Sequence, residues 1–196
     1  IATISDTTNF LLNFLKKFDD YYPYLNRKAS EIQITKEISS LIDVVVDKYG
    51  EIRDNASPQL YEIRKSMNLV RGKVNQSFGV ALTQYNSLGY LDDIKESFVQ
   101  NRRVLAVLAM YRRKVKGTIL GSSKTGSIAY IEPELTLKYS RELSNLEYEE
   151  KEEITRILKQ LSNQIRPFLP LLIQYQDFLS DIDVVAAKAK YANRIN

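Results

Sequence analysis

The chain has 196 residues, 44% of them hydrophobic and 27% charged, enough to bury a core in one large domain or two small ones; this composition excludes a disordered or fibrous polymer. It contains no cysteine and no histidine, which excludes a disulfide framework, a Cys-bearing metal site and any hydrolase of the Ser-His-Asp, Cys-His or zinc type. The formal charge of +4, from 28 basic and 24 acidic residues, is too small by itself to argue for a polyanionic partner.

In chain order, Phe10, Leu11, Phe14, Leu15 and Phe18 recur at helical spacing and predict an amphipathic helix that ends at Tyr21, Tyr22 and Pro23. A second helical stretch carries Ile34, Ile38, Leu41, Ile42 and Val45, and the tetrapeptide Asp47, Lys48, Tyr49, Gly50 marks a turn after it. Ser57 and Pro58 then read as N-cap and first helical position. They open a long seam of Leu60, Ile63, Met67, Val70, Val74, Phe78, Leu82 and Tyr85, whose three- and four-residue steps suit helix-on-helix packing. Three short β-rich runs follow, over 103–108, 115–120 and 127–131, with a turn-rich link at 121–126. A matching helical seam returns from Pro133 through Leu143, Leu146, Glu150, Ile154, Ile157, Leu161, Ile165 and Phe168, and a further helical pattern resumes over 182–192.

The expected fold is therefore mainly α, with two long antiparallel lever helices and a small antiparallel β clamp inserted at their tip. The expected division is a helical core segment at 1–56, lever helices at 57–96 and 133–196, and a β-rich clamp tip at 97–132. The longest apolar run, 104–111, has eight residues, far short of the roughly 20 that span a bilayer. No signal peptide is visible, so a cytoplasmic setting is expected, and a chain opening at Ile1 reads as a piece of something longer.

Charge is concentrated at the clamp. Residues 97–131 hold seven basic side chains (Arg102, Arg103, Arg112, Arg113, Lys114, Lys116 and Lys124) and no acid, while the rest of the chain nets −3. Long cationic side chains in such a turn-rich segment neutralise phosphates and give sequence-independent, salt-sensitive binding. These seven are the candidate nucleic-acid contacts; the competing reading is a solvated surface. Other patterns carry less. The run Gly121, Ser122, Ser123, Lys124, Thr125, Gly126 lacks the glycines of a phosphate-binding loop and precedes a strand, so it reads as a β-turn. Glu147, Glu149, Glu150, Glu152 and Glu153 read as a solvated helix face rather than a cation site. The 13 tyrosines read as core or boundary residues. No catalytic residue and no metal ligand is expected.

Several of these segments resemble one family. Asn101, Arg102, Arg103 and Val104, then Lys116 and Gly117, then Ser123 to Gly126, closing on Tyr130, Ile131, Glu132 and Pro133, resemble the clamp of MutS-type proteins, above all the second bacterial MutS paralogue. The stretch 54–64 resembles that branch's entry into its lever helix, Glu149, Glu150, Glu153, Ile154 and 156–158 its returning helix, and 183–192 the ending ahead of its ATPase domain. The chain departs from the family pattern at Thr125 and Ile128 in the hydroxyl-rich loop, and near Ser140 and Arg141, where paired asparagines are common.

The resemblance implies a lever-and-clamp segment that grips DNA backbone, branched DNA included, within a homodimeric ATPase that suppresses recombination in mismatch-repair-type processes. It implies that ATP and magnesium are held in another domain, that many members end in an Smr nuclease domain, and that this segment is itself no enzyme. Structured or ribosomal RNA in ribosome rescue, and a coiled-coil module that recruits a protein, stand as alternatives.

Overall fold

Proline placement explains where the longest elements begin. Pro58 fixes its own φ and needs no amide partner, so it suits the first turn of a helix. In the computed structural model, which describes residues 1–195, it opens α4 (Pro58–Ser87), after α1 (Ala2–Lys17), α2 (Pro23–Ala29) and α3 (Glu37–Val45). Strands β1 (Leu91–Val99), β2 (Arg102–Leu108), β3 (Gly117–Ser122) and β4 (Ile128–Pro133) follow, and then α5 (Glu134–Ile165) and α6 (Leu169–Ile195), separated by a 3-10 turn at Arg166–Phe168. The fold is mainly α with one small antiparallel sheet. No helix among the described residues is long and apolar enough to cross a membrane.

The chain divides into two compact units, Pro58–Glu153 on one hand and residues 1–57 with the chain from Ile154 onward on the other. In the second of these, Leu12, Leu15, Ala29, Tyr175 and Phe178 form the core. The expected stripe on α1 is only partly correct. Leu15 is buried, but Phe10 is 68% and Phe14 39% exposed, and Ser5, Thr8 and Asn9 face inward instead. Asn9 goes inward because the fold satisfies it: its amide donates to the Thr35 carbonyl at 2.6 Å, and its oxygen accepts the Thr35 N–H at 3.3 Å. The phenylalanines left outside contact one another, with Phe14 and Phe18 centroids 4.8 Å apart. Pro23, read as a stop, is the first residue of α2. The turn at Asp47 is as expected: its carboxylate accepts the N–H groups of Tyr49 and Glu51, which hold it below the usual carboxylate range.

Tyr175 is fully buried and its hydroxyl donates to the Gln33 carbonyl at 2.7 Å. Burial pushes the phenol above its usual range. The Tyr175→Phe variant is expected to lose about 1–2 kcal/mol in urea denaturation, because the Gln33 carbonyl is left without its donor. The sign with pH follows from the raised value: the wild-type phenol contributes fully below the unfolded tyrosine pKa and loses that contribution as pH rises through the folded one. The gap between wild type and Tyr175→Phe should therefore narrow in alkali.

In Pro58–Glu153, the α4 seam is buried at Leu60, Ile63, Met67, Val70, Phe78 and Tyr85, with Ala81 added. Helix α5 runs antiparallel to α4: Arg64 Nε donates to Glu150 Oε1 at 2.7 Å, and further along the pair Lys73 Nζ sits 5.9 Å from the Tyr139 ring centroid. Glu153, expected on a solvated face, is 3% exposed. The last turns of α4 lie on the sheet, where Phe78, Ala81 and Tyr85 join Leu105, Val107, Val115, Ala129 and Ile131 in one core.

The sheet order is β1-β2-β4-β3. β1 departs from the sequence-based expectation, which places residues 91–96 in a lever helix, and the sheet has four strands rather than three. Its register with β2 slips between Leu91 and Glu96, and such a bulge destroys the period-two alternation that marks a strand. Gln100 and Asn101, at φ of 51° and 61°, form the two-residue turn into β2. Positive φ at both positions is the type I′ geometry whose twist suits a tight hairpin. The link from β2 to β3 is a crossover, because β4 lies between those strands.

Candidate nucleic-acid interface

Strand register places the seven predicted cations at two ends of the sheet. At one end Val99 pairs with Arg102 and Gly117 with Pro133; at the other Leu91 pairs with Val107, Leu108 with Ile128 and Ser122 with Ala129. Arg102 and Arg103 belong to the first end, next to the start of α5. Lys116 lies there too, its carbonyl accepting the Glu134 N–H at 3.1 Å. Lys124 is in the hairpin at the far end. Arg112, Arg113 and Lys114 leave from that far end as well, since the 3-10 turn Ala109–Tyr111 before them is tied to the hairpin by a bond from Ala109 N–H to the Ser127 carbonyl at 2.9 Å.

Their partners separate them further. Arg102 Nη1 donates to Glu132 Oε2 at 2.9 Å, and the Glu132 side chain is 1% exposed. Arg103 grips Glu96 with two nitrogens, at 2.8 Å and 3.0 Å, reaches Asn75 Oδ1 at 3.3 Å and stacks 4.4 Å from the Phe78 ring centroid. A guanidinium fixed by a fork of donors and a ring face is held in place rather than offered to solvent. Lys114 places its ammonium 5.7 Å from the Tyr90 ring and 5.6 Å from the Tyr111 ring. Arg112, Arg113, Lys116 and Lys124 are exposed, and their side chains have no ion pair or hydrogen bond among the described residues.

Sequence reasoning missed the two acids because they stand one residue outside the acid-free window, at positions 96 and 132. Antiparallel pairing folds both back onto it, Glu96 opposite Leu105 in β1 and Glu132 on β4. A cleft of about 470 Å³ at this end is lined by Arg71, Glu96, Asn101, Arg102, Arg103 and Glu147 among others. Its charges are of both signs, so it suits an anion poorly.

The far end has a different chemistry. Ser123, Thr125 and Ser127 hydroxyls lie within 2.8–3.4 Å of one another, and the Ile128 N–H donates to Ser123 Oγ at 3.2 Å. Gly126, at φ of 71°, lets the turn close, with its N–H on the Ser123 carbonyl at 2.9 Å. The hydroxyls serve each other and the chain passes directly into β4, so the residues do not fit a nucleotide's phosphate loop, which needs free N–H groups opening a helix.

No protein-family profile matches the chain. Among curated proteins it is 28% identical over its whole length to the Endonuclease MutS2 of Geobacillus sp. (strain WCH70), of which it covers 25%. It is 29% identical over 97% of its length to the Endonuclease MutS2 of Symbiobacterium thermophilum, covering 24% of that protein. To the Endonuclease MutS2 of Clostridium kluyveri it is 32% identical over 84% of its length, covering 21% of that protein. The chain thus spans about a quarter of the length of these relatives.

Proposed function

We propose that this chain, which belongs to the MutS family in the branch of the second bacterial paralogue, is a non-catalytic segment that grips the phosphate backbone of DNA with the far end of its sheet. The observation that carries this reading is that Arg112, Arg113 and Lys124 are exposed and, among the described residues, without ion pair or hydrogen bond for their side chains at one end of a pinned sheet. Cations with no internal anion are free to replace the counterions condensed on a polyanion. Hydroxyls of Ser123, Thr125 and Ser127 stand beside Lys124, and those that give up a bond within their cluster become further donors to phosphate oxygens. We assign Lys116 a secondary contact and Lys114 a smaller one, because its charge already lies over two rings. Arg102 and Arg103 we assign to the architecture. The recombination-suppressing role implied by the resemblance is part of the same proposal.

Binding of a labelled duplex DNA titrated with salt tests this. Affinity should fall as salt rises, and Arg112→Ala, Arg113→Ala and Lys124→Ala should each reduce the slope of log K against log salt by about 1. The same titration with branched DNA and with structured RNA identifies the preferred polyanion. An unchanged slope in the triple variant would remove the far end from the interface.

A further inference from the structure

Backbone recognition needs cations and donors, and gains nothing from an apolar side chain held in water. The far end carries two, Leu88 in the link before β1 and Met110. Met110 is 76% exposed, while the other methionine, Met67, is 2% exposed in the α4 seam. Met110 occupies the 3-10 turn Ala109–Tyr111, with Tyr111 between it and Arg112 and Arg113.

That turn is held from several sides. The Leu108 N–H donates to the Tyr90 carbonyl at 3.0 Å, and the Ala109 N–H to the Ser127 carbonyl at 2.9 Å. The Tyr111 ring stacks on Tyr90 at 4.6 Å and 21°, and Tyr90 on Tyr85 at 6.4 Å and 23°. The Tyr85 hydroxyl accepts the Lys116 N–H at 3.1 Å, which ties the base of this ladder to the crossover. Met110 is thus presented on a turn whose position is fixed before any ligand arrives, and little ordering remains to oppose binding. Other exposed apolar side chains lack this setting: no arginine neighbours Leu88 or Ile119 along the chain, and Ile94 and Phe98 share β1 with Asp92 and Asp93, whose charges repel phosphate.

We infer that Met110 packs against the face of an unstacked base while Arg112 and Arg113 hold the phosphates beside it, so that the far end selects DNA with exposed base faces over continuous duplex. The inference rests on the DNA-backbone reading of the preceding section. Methionine suits the task, since its thioether is polarisable, adapts its shape and makes favourable contacts with aromatic faces. Apolar wedges beside arginines are a recurrent way to engage a base step, and they must first open it. That opening costs least where bases are already unpaired, which is the physical source of the selectivity.

The experiment compares two DNAs of equal phosphate number at one salt concentration: a continuous duplex, and a duplex interrupted by a short run of unpaired thymines containing one 2-aminopurine. Wild type should bind the interrupted DNA about tenfold more tightly than the duplex, with a change in 2-aminopurine emission. Met110→Ala should bring that ratio to about 1 while leaving duplex affinity within about twofold. Arg112→Ala with Arg113→Ala should weaken both DNAs and leave the ratio standing. A ratio near 1 in wild type, or a ratio unchanged in Met110→Ala, overturns the role of Met110 while leaving the backbone grip intact. Failure of wild type to bind either DNA overturns the grip and the inference together.

Discussion

Arg102→Ala is expected to destabilise the unit Pro58–Glu153 by about 2–4 kcal/mol in urea denaturation, more than any single far-end cation, because it strands a buried carboxylate. Glu132 is 1% exposed; one oxygen is held by Arg102 at 2.9 Å and the other is buried with no protein partner among the described residues. Removing the guanidinium leaves a carboxylate that has neither water nor a counter-charge. Arg102 is itself 36% exposed, so solvent offsets part of the loss and the lower half of the range is favoured. Arg112→Ala, at an exposed site whose side chain has no partner among the described residues, should stay within about 0.5 kcal/mol of wild type. The two variants should also diverge in the opposite sense on DNA: Arg112→Ala reduces the salt slope, whereas Arg102→Ala retains it under conditions where the protein remains folded. Adding Glu132→Gln to Arg102→Ala should recover much of the stability, since the buried group is then neutral. A stability for Arg102→Ala equal to that of Arg112→Ala would sink the distinction between strut and contact.

That distinction marks how far the sequence could be read. The α4 seam was legible because a helix that packs along its whole length repeats its apolar residues every three or four positions: Leu60, Ile63, Met67, Val70, Phe78 and Tyr85 are buried, and the half-buried Val74 and Leu82 fill the two gaps between them. β2 and β4 were legible for the related reason that central strands of a small sheet are nearly all apolar: Val104, Leu105, Ala106 and Val107 are all buried. β1 was not, because an edge strand with a bulge and four charges has no such pattern. The stripe on α1 was misread because three phenylalanines at helical spacing outweigh a serine, a threonine and an asparagine by hydropathy alone. Which side chain goes inside is settled by what the fold brings beside it: Asn9 meets Thr35, while the small Ser5 and Thr8 are buried with no hydrogen-bond partner for their hydroxyls among the described residues. The same limit governs the cations. Seven basic residues in an acid-free window look equivalent along the chain, and pairing across strands makes two of them struts. Net charge in a window is a local quantity, whereas the field that a ligand meets is set by what the fold brings beside each charge.

Gly117 connects the sheet's geometry to the aim of its cations, and Gly117→Ala is expected to cost about 3 kcal/mol or more. A Cβ at this position would overlap the Glu132 carbonyl oxygen and fall 2.9 Å from Ile131 Cγ2. The obstacle is backbone, which cannot rotate away, and Gly117 is the first residue of β3, paired with Pro133. Relief requires β3 to move off β4, which breaks the pairing of Thr118 with Glu132 and of Ile119 with Ile131. It also disturbs Glu132, which Arg102 reaches across the sheet. Gly121→Ala in the same strand is the control: its Cβ would meet Tyr130 Cδ2 at 3.8 Å, an ordinary contact, so a change within about 1 kcal/mol is expected. Hydrogen exchange should show protection lost at Ile119 and Ile131 in Gly117→Ala and kept in Gly121→Ala. Because the crossover carrying Arg112 and Arg113 ends at Lys116, a displaced β3 re-aims the cations without removing one. Gly117→Ala should then weaken DNA binding with its formal charge unchanged, a loss that counterion release alone does not produce. Equal stability and equal DNA affinity for the two alanine variants would refute the close approach of β3 to β4 as the device that holds the far end in place.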